Sequence, residues 1–225
     1  MLKAVLFDFD GVIADSVESI FGWFQHIASI LGIELPVKTS DEMRENFMEP
    51  YPELYKFMGF NWERDRSRIF DEYIDYHSKG PVNLVTGIKE VIEKLSKRPD
   101  TKLGIVSSNE QQLLKKNLDY HDMAKYFDTV IGTDVNNNIP LKPDPTSLLM
   151  ALDRMKASIS ESVYIGDQPS DVLTAHNASL VRSEKKMTTI ALTTGFATKD
   201  RLNNTKPLAD HIFDHPDGIL DVLNF

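Results

Sequence analysis

Asp8 and Asp10 stand one residue apart directly after an apolar run, Ala4, Val5, Leu6 and Phe7, and Gly11 follows them. A continuous run of this kind suits a strand buried on both faces of a sheet. If extended geometry persists past it, alternate residues point the same way, and both carboxylates face one site at the strand's C-terminal end. In open α/β sheets that edge is where ligands bind. Two carboxylates this close repel each other, a cost relieved only by a cation or a proton between them. Gly11 lets the backbone turn where a side chain would obstruct it. The plainer reading is a strand followed by an Asx-type turn, since Asp and Gly are ordinary turn residues.

Two further strands end in polar residues. The stretch 102–106 (KLGIV) reads as a buried strand, and Ser107, Ser108 and Asn109 follow it. The stretch 163–165 reads as another, ending in Gly166-Asp167, with Asp171 four residues on. Between them Lys142-Pro143 lies in a loop. Taken singly, the serines could cap a helix, Gly166-Asp167 could be a turn, and Lys142 a solvated surface lysine. Each, however, falls at the same end of its element, and together they describe one acidic site with a local positive charge.

The elements that must hold this site alternate. Helices are expected over 88–95, 110–118, 144–155 and 172–178, with strands over 129–132, 188–192 and 211–213 and a short helix or loop over 200–202. Strands alternating with helices argue for a parallel sheet. Residues 15–81 differ. Val17, Ile20, Phe21, Phe24, Ile27, Ala28 and Leu31 recur at helical spacing, Gly32 ends that helix, and Pro36 prevents its resumption. Further helices are expected over 40–47, 52–58 and 62–77. The aromatic residues Phe47, Tyr51, Tyr55, Phe57, Phe60 and Trp62 read as the core and docking face of this insert rather than a cofactor box. Arg44, Lys56, Arg64, Arg66 and Arg68 read mostly as solvated helix faces, the alternative being that one of them reaches a substrate anion. The expected division is an α/β core of 1–14 and 86–225 and a helical cap of 15–85.

The 225 residues contain no cysteine, which excludes disulfides, thiolate metal sites and cysteine nucleophiles. An apolar fraction of 41% and a charged fraction of 26% are ordinary for a soluble domain. No signal-peptide layout or membrane span is evident, so a cytoplasmic protein is expected. The net charge of −9 argues against a nucleic-acid partner but leaves room for small phosphorylated metabolites.

Asp8-Phe9-Asp10-Gly11-Val12, the strand ending at Ser107, Lys142-Pro143, and Gly166-Asp167 with Asp171 occur in this order. The chain thereby resembles the haloacid dehalogenase superfamily, in its phosphoglycolate phosphatase and β-phosphoglucomutase-like branch with a helical cap. The resemblance implies a Rossmann-like parallel sheet core with an inserted all-helical cap domain, and a phosphatase acting through an aspartyl phosphate. On it, Asp8 is the nucleophile, and Asp10 the acid that protonates the leaving alcohol and then the base for water. Asp8, the Asp10 carbonyl and Asp167 hold Mg²⁺. Lys142 and Ser107, with the N–H groups of Ser108 and Asn109 at a helix start, grip the phosphoryl group. Asp171 is either a further metal ligand or the orienter of Lys142. Two features depart from the family pattern, Ala178-Ser179 in place of Ala-Gly and the charged segment 181–186.

Asp10 disfavours the dehalogenase branch, which lacks that aspartate. A phosphonatase needs a cap lysine for a Schiff base, for which Lys38 and Lys56 are the candidates. A sugar-phosphate mutase and a catalytically silent metabolite-binding protein, monomeric or homodimeric like the phosphatase, complete the alternatives.

Overall fold

The computed structural model describes residues 2–133 and 139–224. A six-stranded sheet runs through the core. Its strands are β1 (Ala4–Phe7), β2 (Lys102–Glu110), β3 (Thr129–Thr133), β4 (Ser162–Gly166), β5 (Thr188–Leu192) and β6 (His211–Phe213). Their spatial order is β3-β2-β1-β4-β5-β6, with every pairing parallel. β1 is therefore central, beside the point where the order reverses, and no part of Ala4, Val5, Leu6 or Phe7 reaches solvent. Its register places Phe7 beside Ile105 on one side and Ile165 on the other. The residues after these three positions must therefore emerge together at one edge.

Helices cover both faces. In chain order they are α1 (Val17–Leu31), α2 (Ser40–Glu45), α3 (Tyr51–Phe57), α4 (Trp62–Ser78), α5 (Ile88–Leu95), α6 (Gln111–Tyr120), α7 (Thr146–Met155), α8 (Pro169–Arg182), α9 (Lys199–Asn204) and α10 (Gly218–Leu223). α5, α6 and α10 pack with Val5, Phe7, Ile105 and Ile165 on one side. α7 and α8 pack with Leu6, Val106 and Tyr164 on the other. This is the double covering that a parallel sheet of continuous apolar strands requires.

Several boundaries differ from expectation for identifiable reasons. β2 continues four residues beyond Val106, because Glu110 resumes pairing with Thr133 after an irregularity. Ser107, Ser108 and Asn109 thus lie within a strand rather than at a helix start. α8 begins at Pro169, which suits a first helical position, so Ser170 and Asp171 belong to its first turn. α10, unannounced by periodicity in six residues, is held by Ile219, Leu220 and Leu223 in the core. Beyond Asp8 the chain leaves extended geometry at once. The Phe9 carbonyl accepts from Ile13 and Ala14, closing a tight loop in which Gly11 has φ 77°.

The first four helices form their own apolar cluster around Trp23, Phe24, Met43, Leu54 and Ile69. The Trp23 indole N–H donates to the Tyr55 hydroxyl at 2.8 Å, and its ring meets Tyr73 edge-on at 5.3 Å. Phe47 stacks on Phe196 of the α/β core at 4.3 Å. Two guanidinium groups tie the layers together, Arg44 donating to the Thr193 carbonyl and Arg201 to the Phe47 carbonyl. Arg44 is thus a strut rather than a solvated face. No helix among the described residues is long and apolar enough to cross a membrane.

His77 sits inside the aromatic cluster, 4.3 Å from the Tyr73 ring, and burial pulls its pKa down to about 4 from 6.5. The folded state therefore resists a proton that the unfolded chain accepts. Its contribution is complete above pH 6.5 and is lost as pH falls toward 4, by about 3 kcal/mol. Urea denaturation between pH 7 and 4 should show this loss, and His77→Phe should flatten the curve by that amount. A variant as acid-labile as the wild type would remove His77 from the account.

Candidate active site

Three adjacent strand ends bring the polar residues together. The Asp8 N–H donates to the Ile165 carbonyl at 2.8 Å, which anchors the end of β1 against β4. Asp8, Asp10, Ser107, Ser108, Lys142 and Asp167 line one small cavity, with Phe47, Glu49 and Tyr51 above it from the cap side. Asp8 and Asp10 do converge on one site, but through the tight loop rather than by strand alternation.

Lys142 is the one cation lining this cavity among the described residues, and it is 5% exposed. Its ammonium stands 2.9 Å from Asp8 Oδ1 and 2.6 Å from Asp171 Oδ1. It is not a surface lysine. Burial works against its charge, yet Asp171 and Asp8 hold its pKa well above the ordinary lysine value. The Tyr164 hydroxyl completes the cradle, 3.3 Å from Lys142 Nζ, 3.2 Å from Asp171 Oδ1 and 3.0 Å from the Val106 carbonyl. Asp171 Oδ2 accepts from the backbone N–H groups of Asp167 and Gln168 at 3.1 and 3.0 Å. Both Asp171 oxygens are thus engaged, which suits a residue that orients Lys142.

Asp167 is packed differently. Its Oδ2 accepts from the Phe196 N–H at 2.6 Å, whereas Oδ1 is buried with no hydrogen-bond partner among the described residues. The backbones of Gly11 and Gly195 press against this carboxylate. A Cβ at either position would fall 2.6 or 2.0 Å from Oδ2, so only glycine permits the approach. A buried carboxylate oxygen left without a donor is costly unless something positive meets it. Asp8, Asp167 and Asp171 each offer an oxygen, all within 4.8 Å of one another. Burial pushes the Asp8 carboxyl up to about 7 against the pull of Lys142, and pushes Asp167 well above the usual carboxylate range. Four aspartates face one lysine. The donors are hard oxygens, so the residues present fit a small divalent cation such as Mg²⁺.

Asp10 lies outside that three-aspartate cluster. Its Oδ2 accepts from Asn109 Nδ2 at 2.8 Å, and burial raises its pKa. The Asn109 backbone N–H is occupied by Ser107 Oγ at 3.1 Å, so it does not stand ready for a phosphoryl oxygen. Asn109 instead holds Asp10 in place. Lys38 and Lys56 sit on the exposed outside of the cap, 3.2 Å from Glu34 and 2.7 Å from Glu53. Neither lines the site, so neither candidate is in position to form a Schiff base.

A family model described as haloacid dehalogenase-like hydrolase matches residues 5–182. The chain belongs to that family. This hydrolase is 31% identical over 186 residues to the pyrophosphatase PpaX of Listeria innocua, covering 79% of this chain and 80% of the relative. It is 22% identical over 233 residues to the phosphoglycolate phosphatase of Vibrio parahaemolyticus, covering 99% and 96%. A solved haloacid dehalogenase-like hydrolase of Streptococcus pneumoniae superposes with a TM-score of 0.80 at 20% identity, over 99% of this chain and 98% of that one. The likeness in fold therefore extends over the cap as well as the core. The expectation of a hydrolytic enzyme with a Rossmann-like sheet is met.

Sequence reasoning did not reach Tyr164, Glu49 or Gln168, which also shape this hydrolase's site. Tyr164 carried a signal, a polar-tipped ring in the middle of a wholly buried strand, where a hydroxyl needs a partner. Glu49 and Gln168 carried none.

Proposed function

We propose that this hydrolase is a Mg²⁺-dependent phosphatase that cleaves a small phosphate monoester through an aspartyl phosphate on Asp8. The observation that carries the reading is the buried Asp8 carboxylate, held 2.9 Å from the Lys142 ammonium, with an Asp167 oxygen nearby that has no hydrogen-bond partner among the described residues. The phosphatase names of its relatives point the same way.

Asp8 attacks the phosphorus in line, the bond from phosphorus to the ester oxygen breaks, and Asp10 gives its proton to the departing alcohol. Asp10 then takes a proton from water. The water oxygen attacks phosphorus, and the bond to Asp8 breaks to release inorganic phosphate. Lys142 and the Ser107 hydroxyl hold phosphoryl oxygens, while Asp171 and Tyr164 keep Lys142 aimed. Asp8, the Asp10 backbone carbonyl and Asp167 are the residues that would hold Mg²⁺. When bound, it supplies positive charge that lets an anionic carboxylate meet a phosphate dianion.

The test is phosphate release from a panel of monoesters and pyrophosphate, with Mg²⁺ and with a chelator. Release that needs the metal is expected. Release undiminished by the chelator removes the metal from the reading, and a product that keeps its phosphate turns it into a mutase. Asp167→Ala should move the midpoint of the Mg²⁺ titration upward by about tenfold or more, since loss of even an outer-shell partner costs that much. An unchanged midpoint takes Asp167 off the ligand set.

A further inference from the structure

A second, much larger cavity adjoins the same site. It has a volume of about 280 Å³ and lies among α1, α3 and α4, closed on the core side by Ser108, Asn109 and Glu110. Tyr51 and Ser108 line both this cavity and the catalytic one, so the two adjoin. Their shared border lies beside the reacting groups. Tyr73, on the cavity wall, donates to Asn109 Oδ1 at 3.4 Å, and Asn109 Nδ2 reaches Asp10 at 2.8 Å. A leaving group whose oxygen takes a proton from Asp10 would project into this space.

The walls define what they would receive. Trp23, Phe24, Leu54, Trp62, Ile69 and Phe70 supply aromatic and branched aliphatic surface. Among the described residues that line it there is no lysine, arginine or histidine, and the one charged side chain is Glu110. Arg44 and Arg201 do not line it, and each guanidinium donates to a backbone carbonyl, of Thr193 and of Phe47. An anionic leaving group would therefore enter an apolar chamber next to Asp10 and Glu110 with no counter-charge, which is strongly unfavourable. An apolar ring would find complementary surface. Apolar side chains around a space this large forgo packing contacts that a ligand would restore. A cavity of about 150 Å³ already accommodates benzene, so this one has room for a ring with a substituent.

We infer that this site takes phosphate monoesters of neutral alcohols bearing an aromatic or bulky aliphatic group, seated in the cap cavity, in preference to pyrophosphate or phosphoglycolate. The inference rests on the phosphatase reading, and extends it to the class of leaving group. It parts company with the substrates named for the relatives. Their identity of 22–31% leaves the walls of a cap free to differ.

The chain's two tryptophans, Trp23 and Trp62, both line the cavity, so intrinsic fluorescence reports its occupancy directly. The experiment titrates the wild-type protein with Mg²⁺ present against benzylphosphonate, methylphosphonate and phosphonoacetate, none of which can be hydrolysed at phosphorus. Benzylphosphonate should bind at least tenfold more tightly than the other two, a difference of about 1.4 kcal/mol. Phe70, 46% exposed at the cavity mouth, tolerates a polar replacement, and Phe70→Lys should narrow that gap by reversing the charge preference. Equal affinities, or phosphonoacetate as the tightest ligand, overturn the inference. Phosphate release from the monoester panel, run in parallel, tests the phosphatase reading by itself. Release from no member would end that reading, while the order of the three phosphonates still decides what the cavity accepts.

Discussion

Asp8→Asn should reduce phosphate release by about four orders of magnitude or more, the scale seen when a covalent nucleophile is removed, while leaving the fold intact. The substitution changes almost no volume, so the tight packing at the end of β1 survives. The amide oxygen can still accept from Lys142 and from the Phe9 N–H, which meets Asp8 Oδ1 at 2.7 Å. What disappears is the anionic oxygen that forms the bond to phosphorus. Stability should move in the opposite direction. Burial raises the Asp8 carboxyl to about 7, well above its unfolded value of 3.8. The stabilising contribution of the protonated group is therefore present below pH 4 and is lost as pH rises through 7. In chelator at pH 8, the asparagine variant should be the more stable protein, by on the order of 2 kcal/mol. Urea denaturation with chelator and a phosphate-release assay with Mg²⁺ check the two halves. Turnover above a hundredth of wild type would remove Asp8 as nucleophile, and a less stable variant would refute the electrostatic account.

Lys142→Met should cost both activity and stability. Methionine matches the aliphatic length of lysine and removes only the ammonium, which here stands between Asp8 and Asp171. Deleting one partner of a buried pair leaves the other charges uncompensated, typically a loss of about 3–5 kcal/mol. No second lysine or arginine lines the catalytic cavity among the described residues to take its place. A divalent cation should restore part of the loss, because it opposes the same excess of aspartates. Denaturation of the variant with and without Mg²⁺ measures this directly. A variant within 1 kcal/mol of wild type in chelator would mean that the aspartates stay neutral without Lys142.

Much of this site was written in local sequence because its chemistry depends on residue type and strand position. An apolar run followed by carboxylates locates Asp8, Asp10 and Asp167 at strand ends, since a parallel sheet buries the run and exposes what comes after it. The same logic located α1, where the helical repeat of apolar residues stops at Gly32 in a left-handed conformation. It failed where a long-range contact sets the local state. β2 runs on to Glu110 because β3 lies beside it, and the six residues of α10 are helical because the core receives Ile219 and Leu223. Lys142 could have been read as a solvated lysine from its neighbours in the chain, and only the arrival of Asp8, Tyr164 and Asp171 from other elements makes it a buried ammonium.

The sequence by itself determined the class of fold and named the candidate residues: a parallel sheet, a helical insert, aspartates and serines after successive strands, and one lysine in a loop. Only the tertiary structure decided how those residues divide the work. It gave Asn109 to Asp10, Asp171 to Lys142, and an oxygen of Asp167 to no partner among the described residues. It alone revealed the aromatic chamber beside the reacting groups, lined from α1, α3 and α4. The reason is physical. Residue type and spacing set what a side chain can do, whereas burial, counter-charge and hydrogen-bond partners come from segments distant in the chain, and these choose among the possibilities.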